Sequence, residues 1–130
     1  MKSAFLSAAA FLLIAGFSSC NKDDDKGGSS RDVKFELTGN YTGGMFVLIT
    51  DNTGNNESVD VPSVPWTRET TYPANITAIG IGATTAEVDP AQAGKTITLN
   101  IYVGGQLVKT TSKTCDVNGV TSLPALAHNL

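Results

Sequence analysis

The sequence predicts an all-β fold, a small antiparallel β-sandwich of about seven strands. Three observations lead there. Apolar and polar residues alternate with a period of two, most clearly in Val33-Lys34-Phe35-Glu36-Leu37 and Ile97-Thr98-Leu99-Asn100-Ile101. That is the signature of a strand with one buried face. Clusters rich in Gly, Asn and Asp recur between such segments, as in Asp51-Asn52-Thr53-Gly54-Asn55-Asn56 and Gly104-Gly105, and mark turns. After residue 17 no segment keeps a helical period over two turns.

The strands follow in order. Residues 33–38 alternate cleanly and are broken by Gly39-Asn40 and Gly43-Gly44. Residues 45–50 form a nearly continuous apolar run, which suits a strand covered on both faces or crossing the core. Residues 57–61 alternate again, Pro62 and Pro65 bracket a short link, and residues 66–72 form a Thr-rich strand. Residues 76–83 make the fifth. Residues 95–109 carry the strongest local signal: two strands joined by Gly104-Gly105, a tight hairpin turn whose positive φ angles glycine adopts freely. Residues 86–93 have room for one short helical turn, and Pro90 argues against more. These elements read as an immunoglobulin-like sandwich spanning residues 32–122, with residues 123–130 as a C-terminal tail.

The first 31 residues have a different character. Lys2 precedes an apolar run over residues 4–17, too short to span a membrane, which takes about 20 apolar residues. Ser18-Ser19-Cys20 follows at once. The order Phe17-Ser18-Ser19-Cys20 resembles a lipobox, the cleavage motif of the lipoprotein signal peptidase, with Phe17 where leucine is usual. The resemblance implies a signal peptide over residues 1–19 and a lipid on Cys20. Two or more acyl chains then give stable anchoring, at about 0.8 kcal/mol per buried methylene. Residues 20–31 hold no apolar residue beyond Cys20 and read as a flexible tether. Within it, Lys22-Asp23-Asp24-Asp25 resembles the surface-export signal of Bacteroidetes lipoproteins. The location implied is the outer membrane, either surface-exposed or facing the periplasm.

The globular part resembles the MmpS family, small mycobacterial membrane proteins that accompany large lipid exporters. The resemblance rests on the opening strand 33–39, on Val64-Pro65-Trp66-Thr67, and on the hairpin 97–109 ending in Lys109. It implies a sandwich fold and, as partner, a transporter of the envelope. This chain departs from the family in having a lipid anchor in place of a transmembrane helix. It also has Leu99 where several members carry a strand cysteine, which leaves Cys115 without that partner.

Composition narrows the function classes. With 9 basic and 12 acidic residues the formal net charge is −3, and removing Lys2 with the signal makes it one unit more negative. Nucleic acid is excluded, because phosphate binding takes clustered Lys and Arg. The two cysteines, one of them consumed by lipid, exclude a disulfide scaffold. Cys115 then reads as a buried small residue, and His128, the single histidine, as part of a frayed tail with no catalytic partner. Asp51, Asn52, Asn55 and Glu57 lack the spacing of a calcium loop and read as a turn. Glu87 and Asp89 have no facing carboxylate with which to form an acid–base pair. Trp66 suits a core anchor between sheets, with a sugar-stacking platform as its alternative. No phosphate loop, metal cluster or catalytic triad is present in the sequence, so no enzyme activity and no cofactor are expected. Two roles remain: an accessory or protein-interaction module of the envelope, or a glycan-binding or adhesin-like module. Exposed aromatics at Trp66, Tyr41 or Tyr72 would favour the second, and buried ones the first.

Overall fold

Eight strands build two four-stranded antiparallel sheets packed face to face. The computed structural model describes residues 30–130. Cys20 and the segment Lys22-Asp23-Asp24-Asp25 therefore lie outside the described residues. In chain order the strands are β1 (Asp32–Gly39), β2 (Met45–Thr50), β3 (Asn56–Val61), β4 (Trp66–Thr71), β5 (Ala78–Thr85), β6 (Thr96–Val103), β7 (Gln106–Thr114) and β8 (Ser122–Asn129). A single 3₁₀ turn, Pro90–Gln92, falls within the stretch that has room for one helical turn.

One sheet has the order β4-β1-β6-β7 and the other β3-β2-β5-β8. The β2–β3 and β6–β7 hairpins stay within a sheet, while the other five connections cross between sheets. After β1, β2 and β3, the chain returns to pair β4 with β1, the closing move of a Greek key. The likeness to immunoglobulin domains is one of architecture: there the first two strands are neighbours, whereas here β1 and β2 lie in opposite sheets.

The alternation read in the sequence decides the core. Val33, Phe35 and Leu37 from β1 and Ile97, Leu99 and Ile101 from β6 point inward. They meet Met45, Val47 and Ile49 from β2 and Ile79, Ile81 and Ala83 from β5. Each Val, Leu, Ile, Phe or Met among them, fully removed from water, contributes about 1.5–3 kcal/mol. Tyr41 and Tyr72 are also fully enclosed.

Two expectations are corrected. Residues 123–130 are no tail: they form most of β8, paired along β5 from Ala78↔Asn129 to Thr84↔Ser122. His128 accordingly sits in an ordered strand opposite Ile79. The run 45–50 is covered on one face only, since Phe46 and Leu48 point outward and are 48% and 49% exposed. Trp66 opens β4 on the inward face and packs against the core, but β4 is an edge strand and the indole is half-buried.

The strand registers also set the two ends of the sandwich. Arg31, the 51–55 turn, the 72–77 loop, Gly104-Gly105 and the last residue gather at one end. The loops 40–44, 62–65, 86–95 and 115–121 occupy the other.

Candidate functional site on the two sheet faces

Because the inward residues of β1 and β6 are apolar, the pleat turns Lys34, Glu36, Thr98, Asn100 and Tyr102 out to the solvent face. The register then lines up Thr67, Glu36, Asn100 and Thr110 in one cross-strand row. Glu36 Oε1 accepts from Asn100 Nδ2 at 2.9 Å and from the Tyr102 hydroxyl at 3.2 Å. The Thr110 hydroxyl donates to Asn100 Oδ1 at 2.6 Å, so the buried amide is satisfied at both ends. Loss of solvation first, then the Glu36 charge and its hydrogen bond, push the Tyr102 hydroxyl above its ordinary pKa. Lys34 Nζ lies 4.6 Å from the centre of the Tyr102 ring, within cation–π range. Beside this pair a groove of about 480 Å³ opens between β4, β1 and β6, lined among others by Asp32, Lys34, Glu69, Thr71 and Tyr102. The Thr71 hydroxyl donates to Asp32 Oδ1 at 2.7 Å across it.

The outer face of the other sheet is built differently. Phe46 and Leu48, two residues apart on β2, point the same way. Their partners on β5 are Thr84 and Gly82. Gly82 carries no side chain, so a trough of about 230 Å³ runs between Phe46, Leu48 and the β5–β8 ladder. A Cβ built at Gly82 would meet only Ala125 Cβ, at 3.9 Å, so no close neighbour demands glycine there. The bare strand leaves both apolar side chains standing proud of the sheet. One face of the sandwich is thus polar and internally hydrogen-bonded apart from Leu107, 51% exposed opposite Tyr102, and the other presents an apolar strip.

The other candidate residues have structural roles. Tyr41 and Tyr72 are buried; their hydroxyls donate to the Gly44 carbonyl, at 3.2 Å, and to the Thr50 carbonyl. They offer no platform for a sugar. Asp51 Oδ1 accepts from Thr53 N at 2.8 Å, Thr53 Oγ1 at 2.6 Å and Asn55 N at 3.0 Å. These bonds, the Thr53 hydroxyl's foremost, hold the carboxyl below its ordinary range, so the segment is the turn that its composition indicates. Glu57 pairs with Arg68 at 2.6 Å. Asp89 Oδ1 accepts from Ala91 N at 3.1 Å and caps the 3₁₀ turn. Cys115 is a free thiol only 4% exposed, and burial first, then the Asp116 charge, push its pKa up. Among the described residues no group of three or more His, Cys, Asp or Glu converges on one point.

Sequence reasoning passes over Phe46, Leu48 and Tyr102. Tyr102 is detectable from its place in the alternation of β6. Phe46 and Leu48 are not, because both alternating sets of residues 45–50 are apolar. No protein-family model matches the chain, and no curated protein matches it.

Proposed function

We propose that this chain is an outer-membrane lipoprotein, anchored through lipid on Cys20, whose sandwich is a non-catalytic accessory module that docks an envelope protein through Phe46 and Leu48. The observation that carries the docking is the apolar strip. Two large apolar side chains stand half-exposed, side by side, on a face whose central strand offers Gly82 between them and β8. Adjacent exposed apolar groups of this kind mark interaction surfaces more often than isolated ones do. Anchoring and address rest on the apolar run 4–17, on Ser18-Ser19-Cys20 and on Lys22-Asp23-Asp24-Asp25. A transporter component is the partner that the MmpS resemblance implies. Of the features behind that resemblance, Pro65-Trp66 leads into β4 and residues 97–109 make the β6–β7 hairpin.

The test is site-specific photo-crosslinking in intact cells. A crosslinker at Phe46 is expected to give one discrete adduct with another envelope protein, lost in a Leu48→Ser background. The same group at Thr98, on the opposite face, is expected to give none. No adduct at Phe46, an adduct with a second copy of the chain, or equal adducts from both faces would overturn the docking assignment.

A further inference from the structure

We infer that the groove between β4, β1 and β6 is a binding site for neutral oligosaccharide. It lies on the face opposite Phe46 and Leu48 and does not depend on the docking reading. Lys34 and Glu69 are direct partners across β1 and β4, where opposite charges ordinarily attract. Among the described residues they form no ion pair; the one present is Arg68–Glu57. Lys34 leans the other way, over Tyr102 on β6. This splay leaves an ammonium on one wall of the groove and a carboxylate on the other, with Asp32 and the Thr71 hydroxyl beside them.

The chemistry of the walls selects the ligand. Two carboxylates against one ammonium repel an anion. The ring face that an organic cation would take is already held by Lys34 over Tyr102. A neutral ligand rich in hydroxyls fits, since each hydroxyl both donates and accepts. One such group can accept from Lys34 while a neighbouring one donates to Glu69. Tyr102 and the methylene stem of Lys34, both lining the groove, supply its apolar contacts for the C–H groups of a sugar. The volume, about 480 Å³, lies within the range of roughly 300–1,000 Å³ typical of small-molecule sites.

The experiment is calorimetric titration of the mature lipoprotein, in a detergent without a sugar headgroup, with maltohexaose, cellohexaose, xylohexaose and chitohexaose. At least one is expected to bind at millimolar concentration or tighter. Glu69→Ala and Tyr102→Ala are each expected to weaken it tenfold or more. Glu69 has no side-chain bond among the described residues, so its variant is expected to melt with the wild type. Phe46→Ser is expected to bind sugar normally, which separates this site from the docking strip. Absence of binding by all four sugars would overturn the assignment, as would binding that neither groove variant changes.

Discussion

At the residue scale, one local device is used twice. Asp51 and Asp116 each open a tight turn that ends four residues later, with glycine in the fourth position. Asp116 Oδ1 accepts from Asn118 N at 2.9 Å and Val120 N at 3.2 Å, repeating what Asp51 Oδ1 does with Thr53 N and Asn55 N. Gly54 and Gly119 donate to the carbonyls of Asp51 and Asp116 at 3.0 and 2.9 Å. Gly119, with φ +74°, carries a second constraint: a Cβ there would sit 1.7 Å from the Asp89 carbonyl oxygen. Gly105, with φ +83°, has nothing within 4 Å of such a Cβ. The two positions separate conformational strain from a clash. Gly105→Ala is expected to cost about 1–2 kcal/mol, the penalty of left-handed backbone alone. Gly119→Ala is expected to cost at least about 2 kcal/mol more, because the 86–95 loop must move away. Paired denaturant midpoints check this, and equal losses would mean that the loop yields freely.

At the element scale, β2 and β8 show where pattern stops informing. Met45-Phe46-Val47-Leu48-Ile49 fixes a strand but not its face, since a one-residue slip exchanges one apolar set for another. The pairing of β2 with both β3 and β5 makes the choice. In β8, Pro124 has no N–H to give to a strand ladder. It is tolerated because β8 is an edge strand and because the register shifts between Ile81 and Ala83, opposite Pro124 and Ala125; edges and bulges are the places where a missing N–H costs least. The edge formed by β3 and β4 is held across the sandwich by Arg68–Glu57 and by the Tyr72 hydroxyl on the Thr50 carbonyl. Burial above all pushes Tyr72 up to about 12. A folded pKa above the unfolded value means that the protonated hydroxyl is the stabilising form. That contribution is complete below pH 10, the unfolded value, and is lost as pH rises toward 12. Tyr72→Phe is therefore expected to be less stable at neutral pH by about 1 kcal/mol, the worth of one hydrogen bond. It should lose less stability than wild type between pH 10 and 12. Urea midpoints across that window test it, and parallel losses in both proteins would reject the assignment.

At the scale of the whole molecule, the point where the chain joins the domain matters most. Arg31 donates to the Pro73 and Ile76 carbonyls at 3.0 and 2.7 Å, fixing the start of β1 at the end that also holds Gly104-Gly105 and the last residue. With lipid on Cys20, the tether would join the domain at that end. Cys20→Ala is expected to leave the chain unlipidated and to release it from the membrane fraction. Retention in that fraction with wild-type mobility would end the lipoprotein reading.

Local signals in the amino-acid sequence determine much of this protein. Period-two alternation in residues 33–38 and 96–103 places the central strands of one sheet. Gly104-Gly105 places the hairpin, and composition alone marks the 51–56 turn, because these signals act within a few residues. Tertiary structure alone decides the rest. It assigns β8 to an edge, sends Phe46 and Leu48 outward, encloses Tyr41 and Tyr72, and leaves Trp66 half-covered at a border. It also parts Lys34 from Glu69, so that a groove opens. Each of these outcomes depends on which strand lies beside which. That is set by burial summed over two whole sheets, a quantity that no short stretch of sequence contains.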